Sequence, residues 1–260
     1  MSAVIQSPGR PIALITGASA GLGAEFARQL AADGWDLVIV ARNVERLESA
    51  ATTLRASGAD VEVLRADLLS ADGLRAVEAR VAASGDRAIG MLVNNAGYGL
   101  PKSFHENSID DEIGLAEMLI LVPLRLTHAA LSQMLPRRSG TIVNVASVAG
   151  YTPRETYGAA KTWMLSFTRW ANVFYRKRGV IVSAIAPGFV YTEFHERMGV
   201  SRGSVPKALW LDADTVVRIG LRDVAKGRAI SIPTARYKAL VAIASLLPTS
   251  FVVAAAARRR

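Results

Sequence analysis

The sequence predicts an α/β domain built on a doubly wound parallel sheet with helices on both faces. Three observations carry this reading. Short apolar runs alternate along the chain with stretches of helical periodicity, the pattern of a parallel sheet whose crossovers are helices. The first run passes through a glycine-rich turn directly into a helix. Gly17, Arg42, Asp67, Asn94 and Ser147 each follow the end of a run, so the fold would gather them along one sheet edge, where ligands of such sheets lie. With 260 residues, 51% of them hydrophobic, the chain can bury the core of one large domain.

Residues 12–16 form the first buried strand, followed by the turn Gly17-Ala18-Ser19-Ala20-Gly21-Leu22-Gly23 and a helix over 24–32 that ends before Gly34. A second strand, 36–41, ends at Arg42 and Asn43. A helix over 44–56 leads to a third strand, 61–65, and then to Asp67 and Leu68. A helix over 72–83 precedes a fourth strand, 89–93, which runs into Asn94-Asn95-Ala96-Gly97. One long helix is expected over 109–135, perturbed locally at Pro123. A fifth strand, 141–146, ends at Ser147, and a helix carrying Tyr157 and Lys161 extends to about Lys177. Its aromatic residues Trp163, Phe167, Trp170 and Phe174 lie near one face and mark core packing or a dimer seam. After a sixth strand, 180–186, come Pro187 and Gly188, a polar stretch 195–206 expected to form a mobile lid, a helix over 213–225 and a strand over 228–232.

The glycine turn is the first chemical signal. Gly17, Ser19, Ala20, Gly21, Leu22 and Gly23 stand between a strand and a helix, where small residues let the backbone approach a pyrophosphate and the helix N-terminus supplies donors. The second strand end would reach the adenosine ribose. An acid there suits a free 2′-hydroxyl, whereas Arg42 suits a 2′-phosphate; the expected cofactor is NADP(H), with NAD(H) the alternative.

The second signal is Tyr157-x-x-x-Lys161. Residues four apart on a helix share a face, so both side chains can enter one pocket. A nearby ammonium is expected to lower the tyrosine pKa, and Ser147 at a strand end can hydrogen-bond a substrate oxygen. Taken alone, a tyrosine and a lysine at this spacing read more readily as an ordinary helix surface, because the pattern is short and common.

Composition narrows the remaining classes. There is no cysteine, which excludes disulfide scaffolds, thiol catalysis and cysteine metal sites, and no metal site is expected. The absence of cysteine fits a reducing cytoplasm, and the first ten residues lack the apolar core of a signal peptide. The net charge of +9 suits a phosphorylated cofactor, an acidic ligand or an anionic membrane surface. No nucleic-acid-binding motif accompanies it, and nucleic acid is not expected as a partner.

With these motifs in order, residues 10–235 resemble the short-chain dehydrogenase/reductase family: Thr16-Gly17-x-x-x-Gly21-x-Gly23, Asn94-Asn95-Ala96-Gly97, Ser147, Tyr157-x-x-x-Lys161, and Pro187-Gly188 with Thr192. The resemblance implies a single-domain Rossmann-like fold and nicotinamide-dependent interconversion of a small-molecule carbonyl and alcohol. It implies Tyr157 as acid/base, Ser147 as the residue orienting the substrate oxygen, and Lys161 as the ribose ligand that lowers the tyrosine pKa. Asp67 and Leu68 would flank the adenine; Asn94, with Ala96 and Gly97, would contact the cofactor. Thr192 would hold the carboxamide beside Pro187, Gly188 and Val190. A homodimer or homotetramer is the expected assembly. Two departures stand out. Leu119 occupies the position of an asparagine that supports a proton-relay water in the family, and the Ser147–Tyr157 spacing is about three residues short.

The tail, 236–260, contains the uncharged run 239–257 between basic residues. Packing against the substrate pocket or an interface is the expected role, followed by a membrane-surface anchor and last by a true span. Two functional readings compete with the oxidoreductase. One is a catalytically impaired cofactor-binding protein with a regulatory role, favoured by Leu119; the other is nucleic-acid binding, supported by charge alone.

Overall fold

The computed structural model describes residues 9–194 and 205–257. Strands β1 (Ile12–Thr16), β2 (Asp36–Ala41), β3 (Val61–Arg65), β4 (Ile89–Asn94), β5 (Gly140–Val145), β6 (Val180–Ile185) and β9 (Ile230–Ser231) form one sheet in the order β3-β2-β1-β4-β5-β6-β9. Each neighbouring pair in it is parallel. A small parallel pair, β7 (Phe189–Val190) and β8 (Trp210–Leu211), lies outside it. Strand order reverses between β1 and β4, which opens a crevice beyond their carboxyl ends.

Buried aliphatic side chains account for the layers. Helices α1 (Gly21–Ala32), α2 (Val44–Ala56) and the later α7 (Ala213–Ala225) cover one face through Phe26, Leu30, Leu47 and Val217. Helices α3 (Ala71–Val81), α4 (Ile109–Ala116), α5 (Val122–Met134) and α6 (Glu155–Arg176) cover the other through Val77, Leu115, Leu126 and Ala160. Consecutive strand residues are buried because each points to an alternate, covered face.

The long helix expected over 109–135 is three pieces. A π-helical turn, Glu117–Leu121, separates α4 from α5. Pro123 follows it in the first turn of α5, where its missing N–H costs least. The strand expected over 228–232 shortens to two residues, Ile230 and Ser231. Of the lid expected over 195–206, residues 195–204 lie outside the described residues.

The tail forms two helices, α8 (Ala235–Leu246) and α9 (Thr249–Ala257). Of the packing expected against the substrate pocket or an interface, the structure shows partial burial within the chain: Tyr237 and Val252 are buried, but Leu240, Ile243, Leu246 and Phe251 are exposed. The reason is that α8 carries no charge past Lys238 and only one side of it meets the domain. Tyr237 anchors that side. Its hydroxyl donates to the Leu209 carbonyl at 2.6 Å and accepts from the Phe189 amide at 3.0 Å. The ring lies where a Cβ on Gly188 would stand, 1.8 Å away, so residue 188 must be glycine for the tail to seat.

Candidate active site

A cavity of about 720 Å³ occupies the crevice beyond the strand ends. One end is the glycine turn, with Gly17, Ser19, Ala20, Gly21 and Leu22 lining the wall. No side chain caps α1 at Ala20, whereas Asn43 caps α2 and Ser70 caps α3. The first amides of α1 thus stand at the cavity without a competing cap, an arrangement suited to a phosphate. Gly23 does not line the cavity. A Cβ there would stand 2.1 Å from the Gly17 carbonyl oxygen, so Gly23 serves by letting α1 lie close against the turn.

Beyond the ends of β2, β3 and β4 the cavity is lined by Arg42, Asn43, Asp67, Leu68, Ala96 and Gly97. Arg42 is exposed at the end of β2. Asn43 is committed to the cap, accepting from the Arg46 amide at 2.7 Å. Asp67 accepts from the Leu69 amide at 3.0 Å. Asn94 departs from its expected role and does not line the cavity. Its buried side chain turns inward, donating to Asn144 at 2.9 Å and Thr127 at 3.3 Å, while Asn144 donates to Thr168 at 3.0 Å. This network ties β4 and β5 to α5 and α6. The next residue, Asn95, is the one at the cavity, and it donates to the carbonyls of Thr16 and Gly17 at 2.9 and 3.2 Å.

At the far end Ser147, Tyr157 and Lys161 meet. Val145 and Ser147 end β5 and begin a 3-10 turn over Val148–Tyr151; Tyr157 and Lys161 are one turn apart on α6. The short connection enters α6 through Glu155, a non-glycine residue at φ 39°. That left-handed conformation is strained for glutamate and marks how tightly the shortened loop closes. Ser147 and Tyr157 both line the cavity, and the Ser147 hydroxyl accepts from the Ala149 amide at 3.1 Å and donates to the Pro187 carbonyl at 3.5 Å. Lys161 is buried, with Nζ donating to the Val145 carbonyl at 2.7 Å and lying 5.6 Å from the Tyr157 ring centroid. Pro187, Gly188, Val190 and Thr192 close the wall opposite, and Phe194 lies 6.0 Å from the Tyr157 ring.

The electrostatics differ from expectation. Burial pushes the Tyr157 hydroxyl up to about 12, against the opposing pull of the Ser147 hydrogen bond and the Arg154 charge. Burial likewise pulls the Lys161 ammonium down to about 8. The predicted lowering of the tyrosine by lysine is therefore absent in this state: desolvation disfavours both charged forms, and the lysine hydrogen-bonds a backbone carbonyl.

Sequence reasoning missed Arg46 and Glu193. Both line the cavity mouth, and Arg46 Nη1 donates to the two carboxylate oxygens of Glu193 at 3.0 and 3.3 Å, linking the first turn of α2 to the segment after β7. Arg46 lies four residues beyond Arg42, a spacing that could have flagged it; nothing in the sequence pairs it with Glu193. Leu119 is buried in the π turn and lines the cavity.

The comparisons agree with this geometry. Residues 11–201 match the family model described as short chain dehydrogenase. The chain is 30% identical over 244 residues to 17-beta-hydroxysteroid dehydrogenase type 3 of Rattus norvegicus, covering 91% of this chain and 76% of that protein. Among solved structures, a short-chain dehydrogenase from Sphingobium yanoikuyae in complex with NADPH superposes with a TM-score of 0.82 at 34% identity, covering 90% of this chain and 93% of that one. A short-chain dehydrogenase/reductase from Burkholderia phymatum in complex with NAD gives 0.77 at 26% identity, with coverage of 92% and 94%. With a seven-stranded parallel sheet, a glycine-turn cavity and Ser147, Tyr157 and Lys161 at its end, this chain belongs to the short-chain dehydrogenase/reductase family, oxidoreductases acting on carbonyl and alcohol substrates.

Proposed function

We propose that the protein is an NADP(H)-dependent oxidoreductase that interconverts a ketone, aldehyde or 3-oxoacyl-type carbonyl with its alcohol. The observation that carries this reading is the convergence of Ser147, Tyr157 and Lys161 in the same cavity as the glycine turn and Arg42. The dinucleotide's fit is supported by the uncapped α1 terminus, and its 2′-phosphate by Arg42 and Arg46 at the adenosine end. Asp67 and Leu68 would flank the adenine, Thr192 would hold the carboxamide, and Lys161 would bind the nicotinamide ribose. When bound, the nicotinamide supplies or accepts the hydride.

The chain's own residues handle the oxygen and its proton. Ser147 holds the substrate oxygen by a hydrogen bond. Tyr157, protonated at neutral pH, donates its proton to that oxygen during reduction and takes it back during oxidation. A ribose hydroxyl near Lys161 would give its ammonium a second partner beside Val145 and so favour the charged form that assists Tyr157. Exposed Trp170, Val173 and Phe174 on α6 support a homodimer or homotetramer.

The test is NADPH consumption across a panel of carbonyls by wild type and Tyr157→Phe. Activity in wild type that collapses in the variant, with NADPH binding retained, supports the reading. Buried Leu119, at the position of the family's relay asparagine, favours a second reading, a cofactor-binding protein without efficient turnover. NADPH binding without consumption of any carbonyl or alcohol would select it.

A further inference from the structure

We propose that α8 and α9 dock the protein peripherally on an anionic lipid surface. The first observation is charge. Between Val224 and Arg260 there is no aspartate or glutamate, but Lys226, Arg228, Arg236, Lys238, Arg258, Arg259 and Arg260 are basic, so this stretch holds seven of the nine net positive charges. Arg228 is paired with Asp223 at 3.1 Å, while Arg236 and Lys238 stand exposed in the first turn of α8.

The second observation is the apolar surface beside that charge. Leu240, Ile243, Leu246, Phe251 and Val253 are exposed on two consecutive helices and Leu247 in the turn between them, with Leu246 87% and Phe251 61% accessible. Past Lys238 α8 carries no charged residue, and its exposed Leu240, Ile243 and Leu246 suit a fluid apolar medium. Pro248 breaks the pair into helices of 12 and 9 residues, each far short of the roughly 20 needed to cross a bilayer, so the segment lies on the surface. The one longer apolar stretch among the described helices, Ile109–Met134, packs Leu115, Leu119, Leu126 and Met134 into the core. Basic residues then supply attraction to anionic headgroups while leucine and phenylalanine side chains enter the boundary layer, the two contributions that surface binding combines.

The root of this segment is fixed beside the active cavity. Tyr237 in α8 packs on Gly188, a lining residue, and bonds the segments at Phe189 and Leu209. Docking would hold the cavity mouth at a set distance from the lipid.

The experiment is flotation of the full chain with vesicles of phosphatidylcholine alone and of phosphatidylcholine mixed with phosphatidylglycerol. Wild type is expected to float with the mixed vesicles at least about tenfold better than with the neutral ones, and less well as salt rises. Leu246→Asp/Phe251→Asp, whose sites do not line the cavity, should stay in the supernatant while keeping wild-type NADPH affinity and melting temperature. A wild type that stays in solution with both vesicles, or a variant that floats equally well, would overturn the proposal. So would gel filtration showing a wild-type dimer that the same variant dissociates without any vesicle binding, because a second copy would then be the cover. NADPH affinity is read separately, so failure here leaves the oxidoreductase reading intact.

Discussion

The ammonium of Lys161 lies one helical turn from Tyr157 but donates to the carbonyl of Val145, at 2.7 Å. A lysine has three donors, and among the described residues this buried one finds a single acceptor. Its burial is therefore a cost to the unliganded fold that cofactor binding would relieve. Lys161→Met is expected to abolish NADPH binding and raise the melting temperature at pH 7. The pH profile separates this from simple repacking. The folded value, about 8, lies below the unfolded 10.5, so the unfolded chain binds more protons between them and wild-type stability rises across that window. The rise amounts to roughly 3 kcal/mol, and the methionine variant should lack it. Identical pH profiles for both proteins would contradict the burial cost.

Tyr157 titrates the opposite way. Reduction needs the phenol, present at all pH values below about 12, so carbonyl reduction by the wild type should be flat through neutrality. Oxidation needs the phenolate, and its rate should climb about tenfold per pH unit until the cofactor-bound tyrosine titrates. A rate of oxidation independent of pH between 6 and 9, roughly six to three units below the value of about 12 in the unliganded enzyme, would remove Tyr157 as the base.

Arg42→Ala tests cofactor choice. Loss of a charge-assisted phosphate contact should weaken NADPH by about tenfold to a hundredfold and leave NADH unchanged. Fluorescence titration of both cofactors reads this directly; equal losses for the two would place Arg42 outside the phosphate contact.

The Arg46–Glu193 pair is half-exposed on both sides and contributes little stability by itself. A 2′-phosphate is a stronger acceptor for the same guanidinium. Glu193→Gln, which removes the competing charge, should tighten NADPH severalfold, and Arg46→Met should weaken it by about tenfold. Melting temperature should move little in either variant. If Glu193→Gln weakens NADPH, the carboxylate helps to hold the cofactor rather than competing with it.

Leu119 can hold no relay water with its side chain. Leu119→Asn is expected to keep NADPH affinity and raise turnover on any accepted carbonyl by about tenfold or more, because proton-transfer assistance is commonly worth about 10²–10⁴-fold. The position faces the cavity as well as the core, so the new amide can reach water; an unchanged melting temperature checks this. Unchanged turnover in a folded variant would clear Leu119 as the defect.

Local sequence determined a great deal of this protein. The buried runs at 12–16, 36–41 and 61–65, the glycine turn between the first strand and α1, and the four-residue spacing of Tyr157 and Lys161 are written in short-range patterns, because strand burial and helical periodicity are local properties. Tertiary structure decided what depends on residues far apart in the chain. Asn94 left the cavity because Asn144 and Thr127, 50 and 33 residues away, offer it hydrogen bonds. The tyrosine rose instead of falling because burial, which the packing of the whole domain sets, outweighs the pull of Ser147 and Arg154, while the lysine is bound to a carbonyl 16 residues upstream. Arg46 met Glu193 across 147 residues, and the tail opened to the surface because the domain contacts only one side of a helix uncharged past Lys238. Periodicity says which residues prefer burial; only the folded chain says which polar groups share an environment and which apolar faces are left uncovered.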